Sequence, residues 1–433
     1  MRVGIWCDYG VTLGPSEGIG VFVDNLARGL VRAKPDVQVL LVAHPGQEDV
    51  LDSVVERGIG RIEVASYLCI SDTAKRKIRL LKKLYRFLDL IGAKTTRWAS
   101  AISAQIANLE REQNESIHGL ISQADVWLVP YVGLKQDFHK PHVVVVHDLV
   151  CYHFPEMLTA RQMRRLKQIV DRRVASAGLV ACMSQFIRIS DLKGILNLPD
   201  DRIRVVAAAV PDDLSQWTRT GPTLRMIEDT KQPIVPNGPF LLFPSAFRKY
   251  KNHKLLVELV ARLKDLNFGS MKVVFTGNRN CPRWLRMVID RHNAHDSVKV
   301  LGKVTRSELI ALYRSAFATV VPSLYEQGSF PLLEALQHGC PAISSDIPSL
   351  REQFREMGTD MIYFDPNSLE SLVEAVCHLQ SNRNRIIANQ QASFTKLKQR
   401  TWTDAAHDWL HVFSEVLQQH QARDSDRESI KAA

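Results

Sequence analysis

The sequence predicts an α/β protein made of two doubly wound, Rossmann-like domains facing each other across a cleft. Three observations predict it. The chain of 433 residues is too long for one comfortable hydrophobic core. Short valine-rich runs alternate with longer helical patterns, first in one half and then again in the other. Unbroken apolar runs between helices mark strands buried on both faces, as in a parallel sheet. Between the two series lies a stretch crowded with turn formers.

In the first half, the candidate strands are residues 3–7, 37–43, 126–130, 143–147, 179–183 and 203–206. Candidate helices cover 20–33, 159–176 and 184–197. Residues 1–210 form the predicted first domain. Pro211, Gly221, Pro222, Pro233, Pro236, Gly238 and Pro239 then mark 211–239 as an interdomain linker. The pattern restarts with strands at 240–244, 271–276, 298–301, 319–322, 342–345 and 361–364, giving a second domain over 240–400. A closing helix of about 402–418, within 401–421, is expected to pack back on the first domain. The polar tail 422–433 is expected to be disordered.

Composition narrows the class. Seven scattered cysteines without a C-x-x-C pair argue against a zinc site or disulfide framework and for reduced thiols in the cytoplasm. Met1 runs straight into the first strand, which leaves no room for a signal peptide. No apolar stretch approaches the roughly 20 residues of a membrane span. The net charge of +10 favours acidic partners. Much of it is local: Lys75, Arg76, Lys77, Arg79, Lys82, Lys83 and Arg86 share a segment with Leu81, Leu84, Leu88 and Ile91 at helical spacing. This basic amphipathic helix, read as extending toward Trp98, suits either an anionic membrane surface or plain packing on the domain. No stacking aromatics or nucleic-acid motif accompany the charge, so nucleic acid is not the expected partner.

The most informative segment runs from Glu326 to Glu334. It follows the 319–322 strand and leads into a helix with Pro331 in its first turn. A strand, a glycine-containing loop and a helix N-terminus together make an anion site. The two carboxylates that bracket it suit hydroxyls, as on a sugar and a ribose. Gly18-Ile19-Gly20 opens the first helix, but Val23 stands where a dinucleotide fingerprint needs its third glycine. The pair suits either a close backbone approach to phosphate or sugar, or a simple turn. His147 ends the fourth strand, where it can meet a sugar hydroxyl or cap the loop. Arg248, Lys249 and Lys251 sit near the end of the 240–244 strand. A helix terminus offers an anion only about 0.3–1 kcal/mol. Charge-assisted hydrogen bonds give about 1.5–3 kcal/mol each, so a diphosphate leaving group calls for these cations.

These residues resemble the retaining GT-B glycosyltransferases whose signature is E-x7-E. The resemblance covers Gly18 to Gly20, His147-Asp148-Leu149, the segment from Ala181 to Phe186, Lys251-Asn252, Leu301 to Val304, Ser323 to Ala335 and Ser344 to Pro348. It is nearest to bacterial O-antigen and exopolysaccharide mannosyltransferases. It implies that Glu326 holds donor-sugar hydroxyls, that amides of Gly328, Ser329 and Phe330 meet sugar and phosphate, and that Glu334 binds the ribose. Lys251 with Arg248 would neutralise the diphosphate, Val304 would lie near the base, and His147 near the reacting carbon. Gly18, Gly20 and Ser184 complete the expected donor contacts. Two departures stand out. Ala246 occupies the position of the family's usual arginine, so either Arg248 or Lys249 supplies that charge or the contact is missing. Gln327 and Ser329 replace a more glycine-rich loop.

The expected reaction is hexose transfer with retention, first choice mannose from GDP-mannose, to a hydroxyl of a growing, lipid-linked bacterial surface glycan. No D-x-D motif appears in either predicted domain, and no metal or other cofactor is required beyond the nucleotide-sugar substrate. The expected location is the cytoplasm, peripheral to the inner face of the membrane. UDP-glucose, UDP-N-acetylglucosamine and dTDP-rhamnose remain alternative donors. A nucleotide-sugar epimerase or phosphorylase, a nicotinamide oxidoreductase and a non-catalytic scaffold are the rival classes.

Overall fold

The structure is a computed structural model that describes residues 1–14, 18–56, 60–90, 97–134, 136–210, 234–265, 270–277, 280–397 and 400–432. Most of the predicted linker, from Pro211 to Pro233, lies outside the described residues, as does Ile91.

The first sheet contains β1 (Arg2–Trp6), β2 (Gln38–Val42), β3 (Ile62–Ala65), β4 (Val126–Val129), β5 (His142–Val145), β6 (Leu179–Cys182) and β7 (Ile203–Val205), in the order β3-β2-β1-β4-β5-β6-β7. The second contains β8 (Phe240–Pro244), β9 (Lys272–Thr276), β10 (Val298–Val300), β11 (Ala318–Val321), β12 (Ala342–Ser345) and β13 (Ile362–Phe364), in the order β10-β9-β8-β11-β12-β13. The registered strand pairs are parallel, from β1 against β2 and β4 to β8 against β9 and β11. Both sheets are therefore the doubly wound parallel kind that the sequence predicts.

The apolar runs are continuous because each sheet is buried on both faces. In β8, Leu241 and Phe243 point into one core, with Val273, Phe275, Val320 and Ile343. Phe240 and Leu242 alternate to the opposite face, against Val274, Leu312 and Tyr313. Crowding is tight at β1. A Cβ on Gly4 would lie 2.5 Å from the Trp127 ring, so only glycine fits there.

By internal contacts the chain divides into two compact units. One comprises Met1–Val146, Arg164–Ala181 and Ala406–Ala433; the other comprises His147–Met163 and Cys182–Ala405. The predicted first domain thus gives residues 147–163 and 182–210 to the second unit. In the first unit, Trp409 of helix Trp402–Ala432 is buried 5.9 Å from the Phe22 ring. Val416 lies so close to Gly178 that a Cβ there would sit 2.8 Å from it.

Four local expectations are corrected. Helix Trp402–Ala432 continues through 422–432, where composition predicts a disordered tail. A helix anchored by a buried face propagates at one hydrogen bond per added residue. Strand β3 lies outside the predicted set because an edge strand buries little; only Ile62 of its four residues is fully buried. Residues 184–197 are not one α-helix. A short turn Gln185–Ile187 runs into the π turn Arg188–Lys193, which carries Asp191 and Leu192 inside.

The basic segment is the fourth. It forms helix Asp72–Leu90, and Trp98 belongs instead to a separate helix, Arg97–Ser122. The two pack together: Lys82 reaches Glu110 at 2.8 Å and Ile78 is buried. Leu81 and Leu88 are half-buried, whereas Leu84 faces outward with Leu80 and Phe87. That i, i+4, i+7 set forms one exposed apolar strip. Exposed Arg76, Lys77, Arg79, Lys83 and Arg86 accompany it on the same helix.

Candidate active site

The site is built in the second unit, at the carboxyl ends of β8 and β11. These strands are neighbours, while β9 lies on the other side of β8. Their connections leave in opposite directions, and that divergence opens a crevice above the sheet. From β8, the chain passes through Arg248 into a tight turn Lys249–Lys251. Asn252 follows in a left-handed conformation with φ 57°, and helix His253–Asp265 begins. The Asn252 side chain donates to the Pro366 carbonyl at 2.9 Å, which fixes the turn. From β11, the chain reaches Ser323 and Glu326 and enters helix Phe330–Gln337. Ser329 caps that helix by accepting from the Leu332 amide, and proline stands in its first turn. The Leu324 amide donates to the Tyr250 carbonyl at 2.8 Å, tying the two loops together.

Lys251 Nζ meets Glu326 Oε1 at 2.6 Å, and the Ser323 hydroxyl donates to the same oxygen at 2.7 Å. Both members of the pair are largely buried, with side-chain exposures of 19% and 10%. Burial, the largest single influence, depresses the Lys251 pKa, but the Glu326 charge and hydrogen bond together with Tyr250 and Asp148 outweigh it, and the net shift is upward. Asp148 stands close enough to feel Lys251 and Glu326. Burial pushes its carboxyl pKa up, against the pull of the Val150 amide and Lys251. His147, half-buried, precedes it in the same unit.

Glu334 is held by Arg306 at 2.5 Å and by the Tyr313 hydroxyl at 2.8 Å. Burial, with the Glu334 charge behind it, raises the Tyr313 pKa well above its ordinary value. Arg306 opens helix Arg306–Ser315, whose start is fixed by a Thr305–Glu308 capping box. The loop after β10, with Gly302 at φ 66° and half-buried Val304, leads directly into this cap. Val304 therefore lies two residues from the arginine that grips Glu334.

The predicted residues thus divide. Lys251 and Glu326 touch. Gly328, Ser329 and Phe330 share the loop and helix start that follow Glu326. The Ser329 amide already donates to Gln353 Oε1 at 2.7 Å, and a Cβ on Gly328 would press on the same side chain at 3.3 Å. Arg248 and Lys249 are both exposed. Ser184 is buried and caps the turn Gln185–Ile187, accepting from the Ile187 amide. Gly18 and Gly20 lie in the first unit, at the start of helix Gly18–Ala33. Arg306, Tyr313 and Gln353 escaped the sequence reading, and Ser323 stood in the matched segment without a role. Only Ser323, three residues before Glu326, lies near the motif in sequence. Among the described residues, no cluster of three or more His, Cys, Asp or Glu side chains is arranged to hold a metal.

Residues 225–395 match the family Glycosyl transferases group 1. The chain is 24% identical over 379 residues to O-antigen chain mannosyltransferase B of Escherichia coli, covering 82% of this chain and 95% of that one. Among solved structures, HepE of Anabaena in complex with UDP and glucose superposes with a TM-score of 0.62 at 14% identity, over 96% of this chain and all of HepE. Sucrose-phosphate synthase from Thermosynechococcus elongatus gives a TM-score of 0.63 at 14% identity, over 97% of this chain and all of that one. With its two parallel sheets and a matched group 1 domain around Lys251 and Glu326, the chain has the GT-B fold and carries a Glycosyl transferases group 1 domain.

Proposed function

We propose that the protein transfers mannose from GDP-mannose, with retention at the anomeric carbon, to a lipid-linked bacterial surface glycan, without a metal. The observation that carries this reading is the buried Lys251–Glu326 pair, 2.6 Å apart, beside the start of helix Phe330–Gln337. The buried ion pair holds both side chains in place beside the helix start. On donor binding, Lys251 turns its charge to the diphosphate and Glu326 turns its oxygens to sugar hydroxyls. Arg248 adds a second cation, and Glu334 takes the ribose. Val304 borders the base, and His147 borders the reacting carbon. The amides of Gly328 and Phe330, with Ser329 in the loop between, complete the phosphate end. Gly18, Gly20 and Ser184 are proposed donor contacts on their position in the motif alone.

No side chain serves as nucleophile. The acceptor hydroxyl attacks from the face the diphosphate leaves, and the departing phosphate oxygen takes its proton. The protein supplies positioning and charge stabilisation of the leaving group. Mannose is chosen over other hexoses because O-antigen chain mannosyltransferase B is similar over most of both chains. Thermal-shift measurements with GDP-mannose, UDP-glucose, UDP-N-acetylglucosamine and dTDP-rhamnose test the donor. GDP-mannose is expected to raise Tm most, because a ligand bound only by the folded state stabilises it by mass action. The anomeric proton of the product, read by NMR, tests retention. A larger shift with a uridine or thymidine nucleotide overturns the donor assignment.

The acceptor reading has its own support. The exposed strip Leu80, Leu84 and Phe87, with its basic companions, suits an anionic lipid surface at the inner face of the membrane. The protein is expected to sediment with phosphatidylglycerol vesicles at low salt and not with phosphatidylcholine vesicles. Leu84→Asp with Phe87→Asp should abolish sedimentation. Equal recovery with both lipids, or with the double variant, removes this part of the proposal. Among the described residues no helix is long and apolar enough to cross a membrane.

A further inference from the structure

Asp191 sits inside the π turn Arg188–Lys193 and has no exposed surface. Its oxygens gather donors from three separate segments. One oxygen accepts from the Leu149 amide at 2.7 Å and from the Tyr325 hydroxyl at 2.7 Å. The other meets His153 Nε2 at 2.8 Å and accepts from the Ser190 hydroxyl. The His153 and Tyr325 rings pack 4.5 Å apart, and Phe186 closes on Tyr325 at 5.9 Å. All of these residues belong to the second unit.

A fully buried carboxylate is costly to retain unless its hydrogen bonds do something an apolar side chain could not. What these bonds join is informative. Leu149 directly follows His147 and Asp148. Tyr325 directly precedes Glu326. The carboxylate therefore fixes the distance between the loop that carries His147 and the loop that carries Glu326, residues that are far apart in sequence. The π turn matters here, because its widened register is what brings Asp191 inward beside Leu192.

We infer that Asp191 is a positioning residue for sugar transfer: it clamps the His147–Leu149 loop to Tyr325 so that His147 and Glu326 address the same bound sugar. It touches no substrate and acts through its two neighbours. This rests on the hexosyl-transfer reading given above. Small misplacements of reacting groups are expensive, since a shift of about 1 Å can cost on the order of 10²-fold in rate.

The test uses the full-length protein and two variants, Tyr325→Phe and Asp191→Asn. Tyr325→Phe keeps the ring packing and removes one bond to the carboxylate, so it is expected to stay folded. It should lower kcat by about 10-fold while leaving the donor KM within a factor of about 2, because loop placement and not donor affinity is altered. Asp191→Asn should lower kcat further, with an unchanged donor-induced shift in Tm. Backbone amide exchange at Leu149 should quicken in Asp191→Asn, in step with the kcat loss. Wild-type transfer together with wild-type kinetics in Tyr325→Phe overturns this inference alone. So does a kcat loss that merely follows a loss of folded protein. A wild-type protein that binds nucleotide sugar yet transfers none overturns both this inference and the functional reading beneath it.

Discussion

Lys251→Met and Glu326→Gln are each expected to cut turnover by about 10²–10³, the usual loss when one preorganised group facing developing charge is removed. Each should also lower stability. The pair is buried, and removing one partner of such a pair leaves a stranded charge that costs up to about 3–5 kcal/mol. The double variant separates the two effects. With both charges gone, nothing is stranded, so its Tm should return toward wild type while its turnover stays low. Initial rates of nucleotide release, paired with thermal melts, read both quantities. Ser323 would still hydrogen-bond the glutamine, since its hydroxyl donates to the position of Oε1. Turnover near wild type in both single variants would sink the assignment of this pair to the chemistry. A double variant as unstable as the singles would show that the pair is not what stabilises the crevice.

Glu334→Ala is expected to raise the donor KM by about 10–100-fold, with a smaller change in kcat. The figure follows from losing charge-assisted hydrogen bonds worth about 1.5–3 kcal/mol, at 1.4 kcal/mol per tenfold. A group that binds the ribose binds it equally before and during reaction, so its loss falls mainly on KM. The carboxylate is already oriented by Arg306 at 2.5 Å and Tyr313 at 2.8 Å, so it meets a ligand with little entropy left to lose. Arg306→Ala should give a smaller KM increase, because Tyr313 still holds the carboxylate. Calorimetric titration with the free nucleoside diphosphate checks the origin of the effect. If Glu334→Ala binds the nucleotide as tightly as wild type, Glu334 has no part in holding it.

Much of this site is legible before any coordinates are known, and the reason is local. A strand, a loop and a proline-started helix follow one another between Ala318 and Gln337, so the segment carries its own geometry. The cap at Ser329 and the proline after it state where the helix begins. Lys251 reads in the same way, as a basic residue just past a buried strand. What the motif does not contain is the set of residues that hold it. Arg306 lies 28 residues from Glu334, and Gln353 lies 24 from Ser329. Neither spacing follows a helical or strand period, so no pattern reveals them. The errors have the same root. The edge strand β3 buries too little to show a continuous apolar run. The segment 184–197 reads as one helix because its apolar spacing is helical, whereas in the structure it holds a π turn with Asp191 buried inside it.

By itself, the sequence determined the two parallel sheets, the crevice-forming strand ends and the carboxylate-flanked loop that starts helix Phe330–Gln337. Burial periodicity, turn chemistry and helix capping act over a few residues and are written in order along the chain. The tertiary structure alone decided that Lys251 closes on Glu326, that Arg306 and Tyr313 grip Glu334, and that residues 147–163 belong with the second unit. Those outcomes depend on which strands become neighbours and on which buried charges find partners. Such pairings are made through space, where separation along the chain carries no information.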